Sequence, residues 1–245
     1  HELFAHGTER FKGLEIEPLW KDKTYNVIHL DFSTFREVPS NSSFNKEFVD
    51  AFKLSLEEAG IEPTKENIDN PANLLKKTLD TESEVVLLVD EYDAPLTAVL
   101  NDSNEFEDRR KILSNFYMTV KSFQGKFRFI FITGVTYYSH TSIFSAFNHL
   151  TDLTLDSDYG ALLGYTSDEL ESYFSEYIDN AVETLNRKFP TERYTHEKVV
   201  EELKRNYDGY SFDEDCMHHV YNPWSILNFL KSPHRGFIPY WVVSG

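Results

Sequence analysis

The chain has 245 residues, of which 40% are hydrophobic and 15% aromatic, so it can bury a substantial core and does not have a disordered composition. Its 24 basic and 41 acidic residues give a formal net charge of -17, which argues against direct nucleic-acid binding by this segment. One cysteine excludes an internal disulfide and fits a reducing cytoplasm, and no apolar run reaches the roughly 18 residues that a membrane span needs.

Hydrophobic patterns predict strands that alternate with helices. An apolar run predicts a strand over 25–32, and phenylalanines every four positions predict a helix over 43–59. Two further runs predict strands buried on both faces, over 85–90 and 127–133. Helical patterns also cover the segments 73–79, 94–100 and 106–123. This alternation predicts an α/β fold with a parallel sheet covered by helices.

The character of the sequence changes towards its end. Helical patterns there cover 167–185, 195–207 and 223–230, and the last begins with a proline in its first turn. We therefore predict an α/β core over 1–165 and a mostly helical subdomain over 166–245.

The strand predicted over 85–90 is followed closely by three carboxylates, Asp90, Glu91 and Asp93. Open α/β sheets bind ligands outside the carboxyl ends of their strands, and acids gathered there repel one another unless a cation neutralises them. An apolar run followed by Asp-Glu is the Walker B pattern of ATPases, in which the Asp orients Mg²⁺ and the Glu polarises the attacking water. The alternative is a buried strand that ends in a solvated acidic turn. Asp93 is predicted to cap the following helix.

Six blocks of sequence together resemble one protein family. They are Phe11–Leu14, Val27–Ser33, Asp90–Leu96, Phe131–Val135, Tyr207–Phe212 and Tyr221–Ile226. Their order and spacing are similar to those of the AAA-ATPase-like domain family, microbial P-loop ATPases that often carry a PD-(D/E)XK nuclease-like domain after the ATPase domain. The resemblance covers nearly the whole chain. It implies a P-loop NTPase-like parallel sheet flanked by helices, with a C-terminal, mostly helical subdomain.

The resemblance also implies a function and a site. The intact protein would hydrolyse ATP with Mg²⁺, and its partners would be a nuclease-like domain beyond the C-terminus of this chain or further copies in an oligomer. Asp90 would hold the metal, Glu91 would be the general base and Thr133 would sense the γ-phosphate. Asn222 and Pro223 would line an adenine pocket. The structural alternatives are that Thr133 satisfies backbone groups in a turn and that Pro223 only begins a helix.

The chain departs from the family at one point, because the Walker A pattern G-x-x-x-x-G-K-[ST] occurs nowhere in it. Family members carry that segment after a first strand, so we expect it before His1 and expect this fragment to bind ATP poorly by itself. We also expect the P-loop strand to be missing from the centre of the sheet. The strands over 85–90 and 127–133 should then not pair directly.

Two other functions stay open at this stage. A non-hydrolysing, ATPase-derived protein-binding scaffold is compatible with the missing Walker A segment. A metal-dependent nuclease could use the three acids Asp90, Glu91 and Asp93, although the negative charge weighs against it. A loop with Asp213, Asp215, Cys216, His218 and His219 suggests a metal site, but its spacing fits no standard zinc pattern. The sequence does not single out an arginine finger among Arg109, Arg110, Arg128, Arg187, Arg193, Arg205 and Arg235.

Overall fold

The structure is a computed structural model, and it describes residues 1–37, 43–136 and 150–240. The chain forms two compact units, His1–Leu150 and Thr151–Gly245. The two domains predicted over 1–165 and 166–245 stay a prediction.

The first unit combines strands and helices in the alternation that the sequence predicts. Its strands are β1 (Val27–Asp31), β2 (Val85–Asp90) and β3 (Phe127–Ile132). Its helices are α1 (Glu2–His6), α2 (Ile16–Leu19), α3 (Phe44–Glu58), α4 (Pro71–Thr81), α5 (Ala94–Thr97) and α6 (Ser103–Ser122). Local chemistry fixes several helix starts: the Asn70 side chain accepts the Ala72 N–H at 2.9 Å, ahead of a proline in the first turn of α4.

The three strands form one parallel sheet in the order β1-β2-β3. Val89 of β2 is the register partner of Leu30 on one side and of Ile132 on the other. The prediction that β2 and β3 do not pair directly is therefore wrong. In the described sheet β2 pairs with β1 on one side and with β3 on the other, and strands joined by one helical crossover are most often neighbours. Within the described residues, nothing supports a missing central strand.

One face of the sheet carries the core of the first unit. Val85, Leu87 and Val89 alternate along β2, are buried, and belong to one cluster with apolar side chains of α3, α4 and α6. The phenylalanine stripe predicted on α3 lies in this cluster, where the rings of Phe48 and Phe116 are 5.0 Å apart. Burial of each such side chain contributes about 1.5–3 kcal/mol. This packing fixes the register of β2, and therefore which residues reach its carboxyl end.

The opposite face of the sheet is only partly covered. Val86 is fully buried, but Phe129 and Phe131 of β3 are 39% and 43% exposed. Phe4 of α1 stacks on Phe129 with ring centroids 5.1 Å apart. The prediction that β3 is buried on both faces is therefore wrong, because β3 is an edge strand of the described sheet and its outer face is not fully packed.

The second unit contains three longer helices, which lie where the sequence predicts them. They are α7 (Ser167–Lys188), α8 (His196–Tyr207) and α9 (Pro223–Lys231). A capping box begins α7: the Thr166 hydroxyl accepts the Glu169 N–H at 3.2 Å, and the Glu169 carboxylate accepts the Thr166 N–H at 2.9 Å. Leu170, Ile178 and Leu185 of α7 are buried in the core of this unit. In the described part of the chain, no helix has the length and apolar character that spanning a membrane requires.

Candidate active site

The carboxyl ends of the three strands bring polar side chains to one edge of the sheet. Asp31 at the end of β1 and Asp90 at the end of β2 are register partners. Thr133 follows β3, and its N–H donates to the carbonyl of Val89 at 2.9 Å, which continues the ladder past the last residue of that strand. We call Asp31, Asp90, Glu91 and Thr133 the acidic edge. The three predicted residues Asp90, Glu91 and Thr133 thus lie together.

Asp90 is held by two donors. The Thr133 hydroxyl donates a short hydrogen bond to Asp90 Oδ1, and the Glu91 N–H donates to the same oxygen at 3.0 Å. Both bonds use Oδ1, and among the described residues no hydrogen bond reaches Oδ2. The carboxylate is therefore oriented by its neighbours through Oδ1.

Glu91 has an unusual backbone and a charged partner. Its φ is 51°, in the left-handed region that non-glycine residues seldom adopt. Such strain is concentrated at functional sites and persists where the surrounding structure imposes it. The Glu91 carboxylate forms an ion pair with Arg36, with Nη2 to Oε2 at 2.6 Å. The predicted general base thus combines a left-handed backbone with an ion pair to a cation.

Asp93 does not have the role predicted for it. It precedes α5, but its side chain makes no capping hydrogen bond there. The carboxylate is buried instead and accepts the N–H groups of Val135 and Thr136 at 3.0 and 2.8 Å. The prediction of a helix cap is wrong because a longer-range pair of donors, in the loop after β3, satisfies this carboxylate. Asp93 therefore joins two loops of the acidic edge and is not available to a metal.

Gly134 lies against the turn that follows β2. A Cβ at this position would collide with the Tyr92 ring and lie 2.7 Å from Asp93 Oδ1. The Tyr92 hydroxyl also donates to the Thr136 carbonyl at 2.6 Å. The Thr-Gly pair in the sequence is explained by this close approach, which brings Thr133 within reach of Asp90.

Arg109 of α6 connects the segments that follow β1 and β2. Its side chain is buried, and Nη1 donates to the carbonyls of Phe35 and Pro95 at 3.2 and 3.1 Å. Phe35 belongs to the loop after β1, and Pro95 to the segment after β2. Because its guanidinium is committed to internal partners, including Glu105 at 2.9 Å, Arg109 is a positioning residue for these loops.

Arg36 is the site residue that sequence reasoning missed. It lies 55 residues from Glu91 in the chain and was not among the arginines considered. Arg128, which was considered, pairs with Asp22 at 2.7 Å near the amino end of the sheet. The available signal was positional: a basic residue shortly after the carboxyl end of β1 lies at the same edge as the acids after β2.

The described residues of the acidic edge do not form a metal site held by protein side chains alone. Within the described residues, no group of three or more His, Cys, Asp or Glu side chains could hold a metal ion. Mg²⁺ keeps several waters and commonly binds one or two carboxylates together with substrate phosphates, a role that Asp90 can fill. In the loop suggested as a metal site, Asp213 instead accepts the N–H of Met217 at 2.8 Å, which helps to lower the pKa of that carboxyl.

The two predicted adenine contacts belong to the second unit. Asn222 is the N-cap of α9 and accepts the Ser225 N–H at 2.9 Å, and Pro223 occupies the first turn. These contacts are what a helix start requires, and the predicted role in base recognition stays a prediction.

A parallel α/β sheet flanked by helices, with the pair Asp90-Glu91 at its carboxyl edge, is consistent with a P-loop-like fold. The chain belongs to the AAA-ATPase-like family, described as "Predicted AAA-ATPase", whose model matches residues 2–144. Among curated proteins it is similar to an "Uncharacterized protein in vnfD 5'region" of Azotobacter chroococcum mcd 1, at 28% identity over 247 residues. That match covers the whole chain but 43% of the relative's length. No solved structure matches the chain.

Proposed function

We propose that this chain is part of a Mg²⁺-dependent ATPase and that its acidic edge supplies the metal-orienting carboxylate and the general base. The observation that carries the proposal is the cluster of Asp90, Glu91 and Thr133 at the carboxyl end of the central strand, joined by the Thr133–Asp90 hydrogen bond. Membership of the AAA-ATPase-like family supports the same activity.

Each residue of the cluster has a chemical task. Bound Mg²⁺–ATP would supply a phosphate chain whose charge is partly neutralised and a γ-phosphate open to in-line attack by water. Asp90 would hold the metal, and Thr133 keeps the Asp90 carboxylate in position. Glu91 accepts the proton of the attacking water, a contribution of typically 10²–10⁴-fold to such a reaction.

Adenine recognition and further partners extend the proposal. Asn222 caps α9 by accepting the Ser225 N–H, and a role of Asn222 and Pro223 in adenine recognition stays a prediction. The chain spans 43% of the curated relative's length, and we propose that a further domain or further copies in an oligomer use the hydrolysis cycle.

The rate of ATP hydrolysis by the full-length protein, measured with and without Mg²⁺, tests the proposal. We expect Glu91→Gln to lower kcat by about 10²–10⁴-fold while nucleotide still binds, and Asp90→Asn to weaken the dependence on Mg²⁺. Asp102→Asn, at an exposed helix cap outside the four residues of the acidic edge, is the control and should leave both unchanged. Equal hydrolysis by all four proteins would remove the catalytic assignment.

A non-hydrolysing scaffold is the second candidate, and one observation favours it. The chain contains no G-x-x-x-x-G-K-[ST] segment, whose backbone N–H groups and lysine hold the β- and γ-phosphates. The two candidates differ in nucleotide binding by the protein as encoded. Saturable binding of Mg²⁺–ATP supports the ATPase, and its absence together with absent hydrolysis supports the scaffold.

A further inference from the structure

Arg36 stands directly beside the proposed base. It follows the short 3₁₀ turn Phe32–Phe35, which begins at the carboxyl end of β1. Its Nη2 donates to Glu91 Oε2 at 2.6 Å, and the two side chains are 62% and 32% exposed. A positively charged side chain is thus paired with the carboxylate that we propose as the general base.

We propose that Arg36 is a phosphate-responsive positioning residue, which holds Glu91 in the nucleotide-free form and moves to the terminal phosphate of bound ATP. The inference rests on the proposed function and adds a control step to it. While Arg36 is paired, Glu91 Oε2 is neutralised and is a poor acceptor for a water proton. When the guanidinium turns to phosphate, the carboxylate is released to act as the base.

The energetics allow this exchange of partners. Ion pairs as exposed as Arg36–Glu91 contribute little to stability, so the pair does not resist a stronger competitor. A terminal phosphate carries more negative charge than a carboxylate and offers oxygens that match the guanidinium fork in a bidentate arrangement. Arg36 therefore interacts more strongly with the phosphate than with the single carboxylate oxygen of Glu91.

The neighbouring geometry limits what else can move. The left-handed backbone at Glu91 and the bond from its N–H to Asp90 fix where the Glu91 side chain begins. Asp93 is buried and anchored by two N–H donors, so the turn after β2 is held in place. The long, exposed side chain of Arg36 is then the mobile member of the pair, and a bound phosphate is the signal to which it responds.

A double-mutant cycle on the full-length protein tests the proposal. Calorimetry measures the binding of a non-hydrolysable ATP analogue in the presence of Mg²⁺. We expect Arg36→Ala to weaken binding, and Glu91→Gln to tighten it by up to about fivefold because the competing pair is lost. In the Arg36→Ala background, Glu91→Gln should no longer tighten binding. Arg128→Ala, which removes a comparable exposed ion pair with Asp22, is the matched control and should bind as the wild type does.

The outcomes separate the inference from the function on which it rests. Equal tightening by Glu91→Gln in both backgrounds would mean simple charge repulsion and overturns the role of Arg36 while leaving the ATPase intact. Unchanged binding by Arg36→Ala overturns it as well. If neither the wild type nor any variant binds the analogue, the proposed function fails, and the switch fails with it.

Discussion

The hydroxyl of Thr133 donates a hydrogen bond to Oδ1 of Asp90, so the ends of β3 and β2 are joined by side chains as well as by the backbone ladder. This bond orients the carboxylate that we assign to the metal. It also explains why a hydroxyl residue is useful at the end of an edge strand.

Thr133→Val should disturb the metal function while keeping the shape of the side chain. The substitution removes the donor that orients Asp90, and loss of such an outer partner typically lowers metal affinity or activity about 10–100-fold. Mn²⁺ titration in the presence of ATP, followed by electron paramagnetic resonance, measures the effect. Thr133→Ser keeps the hydroxyl and should bind Mn²⁺ as the wild type does, whereas equal loss in both variants would contradict the role of the hydrogen bond.

Asp93→Ala should destabilise the first unit more than the loss of an exposed cap does. It removes a buried acceptor from the N–H groups of Val135 and Thr136, at an expected cost of about 2–4 kcal/mol. Asp102→Ala also removes an acceptor of two N–H groups, but at an exposed helix start, where about 1 kcal/mol is expected. Urea denaturation of both variants, together with hydrogen exchange of the strand amides, compares their free energies of unfolding. Equal losses of stability in the two variants would contradict the anchoring role of Asp93.

Gly134→Ala should lower stability through a steric conflict. The added methyl would meet the Tyr92 ring and Asp93 Oδ1, and overpacking of this kind costs about 1–3 kcal/mol. Gly125→Ala is the matched control, because no atom lies within 4 Å of the Cβ position there. Thermal unfolding of both variants gives the comparison. A Gly134→Ala protein as stable as the control would show that the loop after β3 moves aside freely.

The second unit should lose stability as the pH rises. His196 at the start of α8 contacts Asp179 at 2.6 Å and Glu171 at 3.1 Å, and these carboxylates, Asp179 first, raise the pKa of the imidazole above 6.5. Because the pKa of His196 is raised in the folded state, its charged imidazole stabilises the second unit. This stabilisation is fully present below about pH 6.5 and is lost as the pH rises through the folded pKa. His196→Gln should remove this part of the pH dependence, and His219→Gln, at an exposed position, should not. Histidine NMR titration and unfolding at several pH values check both, and a His196 signal that titrates below pH 6.5 would contradict the assignment.

The local elements follow from the sequence because they depend on periodicity and short-range chemistry. The apolar run 85–89, the phenylalanines of α3 and the polar starts of α4 and α7 specify where strands and helices lie. The rule that ligands meet the carboxyl ends of parallel strands indicated Asp90 and Glu91, and the family resemblance added Thr133.

The relationships that the sequence does not specify are those between distant segments. Strand order depends on which edges pack together, so the direct pairing of β2 with β3 was not foreseen. The partner of Asp93 lies 42 residues away in the chain, and the partner of Glu91 lies 55 residues away. Neither spacing has a local signature, because the contact exists only once the sheet has formed.

The central claim is that the acids after β2 face a bound nucleotide at the carboxyl edge of the sheet. Paramagnetic broadening of amide NMR signals by Mn²⁺–ATP, recorded on the protein as encoded, measures this directly. The account predicts that signals of Asp31, Asp90, Glu91 and Thr133 broaden first, while those of Lys23 and Glu84, which pair at the opposite end of the sheet, stay sharp. Broadening confined to other residues, or none at all at saturating Mn²⁺–ATP, would contradict it.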